Sequence, residues 1–353
     1  MQQLIHGNLI HAPALGRLEI LEHGWMLLED GTIRGLWREK PAQYAALPVT
    51  DYGNALVMQS FADMHLHAPQ YPMLGMGMDL PLLDWLNTYT FKTEARFADT
   101  DYARRVYRRL AGDLITNGTT RVCMFSSLHT EATWILMEEL DRAGVTGYVG
   151  KVNMDRNALP GVLEETTEES VRETIRWLDG CRFEHVRPII TPRFTPSCTD
   201  ELMAELGKIA RERGLYVQSH LSESTNEIAW VRELSPGCAR YWETYDKFGL
   251  WKDHTLMAHC VHSDDEELRA MREHGVVARP LRRLEHQHHL GRLSRAAPAR
   301  RGRPGHARLG HRGRRAAGDE QGRHHEHPRL EDAADPRRLA GRFSQRGGGV
   351  LPR

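Results

Sequence analysis

The sequence predicts an α/β fold in which a (β/α) barrel follows a small N-terminal β-domain. Three observations support this prediction. Short apolar segments separated by Gly and Asp occupy residues 1–55. From residue 56, apolar segments alternate with amphipathic ones, as in parallel βαβ units. Both patterns stop at Arg279, so we expect an incomplete barrel over 56–278 and a different kind of segment over 279–353.

The alternating part contains seven candidate strands, and the seventh is incomplete. They read ALVMQSFADMHLH, TTRVCMF, VTGYVGKV, HVRPIITP, LYVQSHL, TLMAH and GVVA. The helix candidate after the first strand has Asp99 or Thr100 as its N-cap and Gly118 at its end. A barrel is favoured over a doubly wound sheet because no GxGxxG motif opens a helix. We expect the barrel to be truncated after about the sixth strand.

Charge and cysteine usage limit the class of protein. Residues 1–278 hold 28 basic and 40 acidic side chains, a net charge of −12, which argues against nucleic acid as a partner. The five cysteines are spread widely and form no CxxC pair, which is typical of reduced thiols in the cytoplasm. The sequence contains no long apolar run of the kind that would predict a signal peptide or a membrane span.

Histidines end three of the predicted strands. FADMHLH places His65 and His67 on one face of a strand, because residues i and i+2 point the same way. His220 lies near the end of a later strand, and His259 ends the next one. Each histidine alone could be an ordinary side chain at a strand edge or in the core. Because the carboxyl ends of barrel strands meet at one face, the three strand ends together favour a metal site.

A carboxylate follows one of these histidines in QSHLSES. Glu223 comes three residues after His220, where it could accept a proton from a metal-activated water. The structural alternative is a helix N-terminus, with Ser222 as its N-cap and Glu223 in the first turn. The sequence alone leaves both interpretations open.

Three other side chains are candidates for contacts to a flat heterocycle. Arg193 and Phe194 come just after a predicted strand, and they offer a planar donor fork and a stacking face. Gln70, three residues beyond His67, can donate and accept hydrogen bonds at a ring edge. Their structural alternatives are a surface Arg, a core Phe and a loop amide.

Six segments together resemble the guanine deaminases of the amidohydrolase superfamily, over about residue 4 to Ala278. These segments are MHLHAPQYPMLGMGMDLPLLDWLNTYTF, GYVGKVNMDRN, ETTEESVRET, RPIITPRFTPSC, QSHLSES and TLMAHCVH. The resemblance implies a metal-dependent (β/α)8 barrel of the amidohydrolase type. It also implies hydrolysis of guanine to xanthine and ammonia, one Zn²⁺ per chain and a homodimer. The implied roles are zinc ligation by His65, His67 and His220, proton transfer by Glu223, orientation of the water and leaving group by His259, and guanine contacts by Gln70, Arg193 and Phe194.

The segment from Arg279 departs from that family. It holds 19 Arg, no Lys and 7 acidic residues, a net charge of +12, with one Val and one Phe. We expect it to be disordered, because it cannot bury enough apolar area to offset the ordering entropy. The family's "GLGSD" setting, whose Asp completes the metal site, is absent.

We hypothesise that the segment is translated out of frame. Codons for RPLRRLEHQHHLG can be chosen so that a shift of one nucleotide gives AHCDASSINITSG, which resembles the missing family stretch. The same shift in residues 305–315 can give VTLGSDTGG, which restores the Asp. The chain as printed is then an impaired deaminase. The alternatives are a non-catalytic chain whose basic tail binds nucleic acid, and an amidohydrolase acting on another amino-heterocycle.

Overall fold

The computed structural model describes residues 1–14 and 16–279, and its first four strands form one mixed sheet. These strands are β1 Gln2–Ala14, β2 Arg17–Glu29, β3 Thr32–Trp37 and β4 Val49–Met58. Their order is β3-β2-β1-β4, in which β1 pairs antiparallel with β2 and parallel with β4. The buried face holds Ile5, Leu9, Leu21 and Met26. This sheet extends to Met58 and therefore past the expected boundary at residue 55.

A series of parallel strands follows and forms the barrel wall. They are β5 Phe61–His67, β6 Thr119–Phe125, β7 Thr146–Gly150, β8 Val152–Asn153, β9 Val186–Pro188, β10 Thr191–Pro192, β11 Val217–Leu221, β12 Thr255–His259 and β13 Val277–Arg279. The pairings run β5-β6-β7-β9, β8-β10 and β11-β12-β13, all parallel. The amide of Gln218 donates to the carbonyl of Ile190 at 2.9 Å and joins the first series to the last. Among the described residues, β5 and the three-residue β13 lie at the two ends of this wall.

Helices connect the strands and cover the wall. The α-helices are α1 Leu82–Trp85, α2 Phe91–Ala95, α3 Thr100–Thr116, α4 Thr130–Arg142, α5 Thr167–Gly180, α6 Asp200–Glu212, α7 Thr225–Leu234, α8 Glu243–Asp246 and α9 Asp265–His274. A π-turn spans Leu86–Thr90, and 3-10 turns span Ala42–Tyr44, Ala68–Met73, Arg96–Ala98 and Thr195–Ser197. No helix in the described ranges has the length and apolar character needed to cross a membrane.

The helix α3 shows why these segments fold as the sequence predicts. Its N-cap Asp99 accepts hydrogen bonds from the amides of Asp101 and Tyr102, which satisfies two donors that the first turn leaves open. Its buried stripe includes Tyr107 and Leu110 and packs into the main core of the barrel.

The predicted α/β barrel with an N-terminal β-domain is confirmed. One predicted strand is in fact two: ALVMQSFADMHLH divides at Gln59 and Ser60, so that its first half pairs in the N-terminal sheet as β4. The out-of-frame and disordered segment that we predicted lies outside the described residues, apart from Arg279 itself.

Candidate active site

The eight residues singled out by the sequence line one cavity of about 480 Å³. They are His65, His67, Gln70, Arg193, Phe194, His220, Glu223 and His259. The strands β5, β11 and β12 bring the histidines there, because parallel strands present their carboxyl ends at the same face. The structure thus brings together all the residues that the sequence predicts.

The four histidines form a single cluster at the base of this cavity. The nitrogens of His65, His220 and His259 that could bind a metal ion lie within 4.8 Å of one another. The ring of His67 stacks on that of His220 with centroids 5.0 Å apart, and their Nε2 atoms are 2.9 Å apart. At this separation two imidazole nitrogens either share a proton or bind one cation. These residues could therefore hold a metal ion.

Hydrogen bonding fixes the tautomer of one ring. His220 Nδ1 donates to the carbonyl of Arg193 at 2.6 Å, which leaves its Nε2 lone pair directed at the cluster. A backbone acceptor behind an imidazole is the usual second contact of a metal-binding histidine. The Nδ1 atoms of His65 and His67 are buried and have no hydrogen-bond partner within the described residues.

Burial keeps these imidazoles neutral. Desolvation holds the pKa of His65 and of His67 well below the usual range, and the neighbouring histidines add to the effect. Desolvation also lowers the pKa of His220 to about 3. The Phe125 ring contributes to this apolar setting, with its centroid 4.5 Å from that of His67. Neutral imidazole is the form that binds a metal ion.

Glu223 lies beside the cluster and is 7% exposed. Its Oε2 is 3.5 Å from Nε2 of His259. Its backbone amide donates to Oε2 of Glu227 at 2.8 Å, so the segment between β11 and α7 is held by a buried side chain. A carboxylate so placed can accept a proton from a group at the cluster and return it.

The helix-cap alternative for this segment is wrong. Ser222 has a left-handed backbone with φ 49°, whereas an N-cap residue needs an extended one. The N-cap of α7 is Ser224, whose side chain forms a capping box with Glu227. Glu223 therefore precedes the helix and lines the cavity.

A second polar group borders another part of the cavity. Arg193 and Glu94 form a buried ion pair, with Nη1 donating to Oε2 at 2.6 Å and Nη2 to Oε1 at 3.2 Å. Gln70 Nε2 donates to the same Oε1 at 3.0 Å. The Arg193 guanidinium carbon lies 5.2 Å from the Phe91 ring centre. Both predicted substrate contacts are thus fixed by one carboxylate.

Sequence reasoning missed Glu94. It lies on the five-residue helix α2, 2% exposed, and no strand end or metal motif marks it. It lies within the resembling stretch of the chain but outside the quoted motifs. Only the tertiary contact between α2 and the segment after β10 shows its role.

The rest of the cavity wall is apolar and suits a flat ring. Its apolar residues are Leu66, Met73, Leu74, Met78, Leu82, Trp85, Leu86 and Phe194. A polar base and apolar walls are typical of sites that bind small organic molecules.

Known proteins are similar to this chain in sequence and in fold. The model of the amidohydrolase family matches residues 56–314. A guanine deaminase of Rattus norvegicus is 45% identical over 277 residues, which cover 78% of this chain and 60% of that protein. One of Dictyostelium discoideum is 39% identical over 287 residues, or 76% of this chain and 64% of that protein. The chain thus spans less than two thirds of the length of these relatives.

A solved structure gives the same comparison in three dimensions. The crystal structure of guanine deaminase from C. acetobutylicum, with guanine bound in its active site, superposes with a TM-score of 0.79. The two sequences are 40% identical, and the matched region covers 82% of this chain and 70% of that one.

Proposed function

The chain belongs to the amidohydrolase family, and we propose that its described residues form the zinc and guanine site of a guanine deaminase. The observation on which this rests is the single cavity that contains all eight predicted residues. The relatives named guanine deaminase support the choice of substrate. The reaction consumes water and guanine and yields xanthine and ammonia.

The histidine cluster fits a divalent metal. We assign zinc to His65, His67 and His220, because their imidazoles are held neutral and the Nε2 atoms of His67 and His220 lie only 2.9 Å apart. When bound, zinc lowers the pKa of a water molecule towards neutrality and so makes it a nucleophile. His259 faces the same point from β12 and would orient the water and the leaving group.

Glu223 would move the protons. It accepts a proton from water as the oxygen bonds to the ring carbon that bears the amino group. It gives that proton to the adjacent ring nitrogen. It then takes the second proton from the new hydroxyl and passes it to the amino group, which leaves as ammonia as the C–N bond breaks and the carbonyl forms. The 3.5 Å contact to His259 and the bond from its own amide to Glu227 hold it in place.

The other part of the cavity would hold the purine. Arg193 donates to an oxo group, Gln70 bonds to the ring edge, and Phe194 offers an apolar face. Outside the site we propose a cytoplasmic homodimer with no membrane or nucleic-acid partner. These last proposals rest on the sequence and the resemblance.

We propose further that the reading frame changes near Arg279. Arg279 is 6% exposed at the end of β13, and its Nε and Nη2 have no hydrogen-bond partner in the described ranges. Its charge acts on the partly buried Asp63, but open donors on a buried cation are still costly, and a strand selected to close a barrel would avoid them. The family match continues to residue 314 and so does not mark the break. The chain would then lack the Asp ligand and be impaired.

Xanthine release from guanine tests both proposals. The chain as its sequence stands, loaded with zinc, is compared with a chain in which the frame is restored after codon 278. We expect the restored chain to be the faster by at least 100-fold, as an order-of-magnitude estimate, because it regains a carboxylate ligand that engages the water. The activity should fall with a chelator and with Glu223→Gln.

Three outcomes would count against these proposals. Equal rates in the two chains would refute the impairment and the frame change. No xanthine from a restored chain that binds zinc would refute guanine as the substrate. Turnover of another amino-heterocycle by that chain would point to a different amidohydrolase.

A further inference from the structure

We infer that Glu94 is a positioning residue that makes the cavity select a lactam edge, a carbonyl next to a ring N–H, over an amidine edge. An amidine edge presents an amino group next to an unprotonated ring nitrogen. The inference rests on the proposed function, since it concerns how that site chooses among purines. It assigns a role to a residue that does not itself line the cavity.

The geometry places two substrate contacts under the control of one carboxylate. Oε1 of Glu94 accepts from both Gln70 and Arg193, and among the described residues Oε2 accepts from Arg193. Glu94 and Arg193 are 2% and 3% exposed, so water does not compete for these bonds. Charge-assisted bonds of this kind are about twice as strong as neutral ones.

The carboxylate determines which way the Gln70 amide points. A carboxylate paired with a guanidinium can only accept hydrogen bonds, so the amide must turn its nitrogen towards Glu94. The carbonyl oxygen of Gln70 is then the atom left for a molecule in the cavity. An amide that could have offered a donor or an acceptor is thereby restricted to an acceptor.

Arg193 presents the opposite polarity. The guanidinium has five N–H donors and no acceptor, and Glu94 engages one on each terminal nitrogen. The donors that remain can serve only an acceptor on the ligand. The cavity therefore offers a donor from Arg193 and an acceptor from Gln70.

A lactam edge matches this pair and an amidine edge does not. The carbonyl of a lactam accepts from Arg193 while its N–H donates to Gln70. An amidine places an amino group against the guanidinium, or its bare nitrogen against the carbonyl of Gln70. Each mismatch leaves buried polar groups without partners, which disfavours binding by about tenfold or more.

Hypoxanthine and adenine form a matched pair of probes, because they differ in this edge alone. Their dissociation constants are measured by calorimetry on the full zinc-loaded chain and on Glu94→Gln. We expect the unmodified chain to bind hypoxanthine at least about tenfold more tightly. In Glu94→Gln the new amide can face Gln70 with either end, so the preference should fall to about threefold or less.

A purely structural role would give a different result. Both affinities would then fall together while their ratio stayed constant, and the inference would be overturned. Glu164→Gln is the control, since Glu164 is equally buried in an ion pair with Lys151 and does not line the cavity. It should leave the ratio unchanged, and a ratio that fell as far in this variant would also overturn the inference.

Gln70→Leu covers the case in which Glu94→Gln does not fold. It removes the oriented carbonyl itself, so hypoxanthine should bind more weakly and the ratio should fall. An unchanged ratio would overturn the inference, as would an unmodified chain that binds both purines equally or neither. The proposed function fails separately, through absent xanthine release from a restored chain that still prefers hypoxanthine.

Discussion

The two polar parts of the cavity differ in whether their buried polar atoms have partners. At the histidine cluster, buried nitrogens of His65 and His67 have no partner in the described part of the chain, and burial keeps the rings neutral. At the Glu94 network, by contrast, each carboxylate oxygen accepts from a named donor. Both parts are buried within the same barrel.

The histidine cluster is suited to bind a metal ion, whereas the Glu94 network is already paired before any ligand binds. The histidines hold neutral rings around a point where a cation would bind, with the Nε2 atoms of His67 and His220 2.9 Å apart. Glu94, Gln70 and Arg193 are already paired, and so they hold their geometry before a ligand arrives. The first part should respond to metal and pH, while the second should respond to loss of its carboxylate.

The largest effect should come from breaking the Glu94 network. Glu94→Ala leaves Arg193 buried without its counter-ion and should lower the free energy of unfolding by about 3–5 kcal/mol. Denaturant unfolding of the metal-free chain measures this. Glu94→Leu combined with Arg193→Met should recover more than half, because an apolar pair removes the unpaired charge. A loss below about 1 kcal/mol would mean that the pair is solvated.

Zinc should give the next largest effect, confined to the histidine cluster. At a concentration 100 times its dissociation constant, a ligand that binds only the folded state stabilises it by about 2.7 kcal/mol. Unfolding with and without zinc measures the gain, which His65→Asn should abolish. Equal stabilisation of His65→Asn would place the ion elsewhere. A folded Gln70→Leu chain should keep the gain, because Gln70 belongs to the other part.

The pH dependence of the metal-free chain should show a smaller effect. The pKa of His220 is lowered to about 3 by burial, while the unfolded chain binds a proton near the ordinary value of 6.5. The unfolded state therefore binds more protons between these values, and stability falls as the pH drops below 6.5. One such histidine contributes a slope of about 1.4 kcal/mol per pH unit.

His220→Asn should reduce that slope by about this amount, because Asn does not titrate. Unfolding midpoints in chelator from pH 7 to pH 5 provide the test. The ionisable groups around the ring, which the variant retains, are His65, His67, His259, Glu223 and Arg193. Identical slopes in the two chains would show that His220 is not held neutral.

The sequence predicted the histidine cluster better than the Glu94 network, for a physical reason. Parallel barrel strands must present their carboxyl ends at one face, so the positions of His67, His220 and His259 follow from the strand pattern. The position of Glu94 depends on how the short helix α2 packs, which no local pattern determines. The left-handed backbone of Ser222 was not predicted either, because no local sequence pattern marks it.

The division between the N-terminal sheet and the barrel was also not predicted from the sequence. β4 and β5 are both extended and separated by Gln59 and Ser60 alone, so periodicity could not divide them. The register of β4 against β1, which determines its sheet, is a long-range property.

Arg193 belongs to both parts of the cavity. Its guanidinium binds Glu94, while its backbone carbonyl accepts from Nδ1 of His220. A purine that shifts Arg193 on binding also shifts its carbonyl, the acceptor that orients His220. The two binding equilibria are then thermodynamically linked. If zinc changes the affinity for the purine by some factor, the purine must change the affinity for zinc by the same factor.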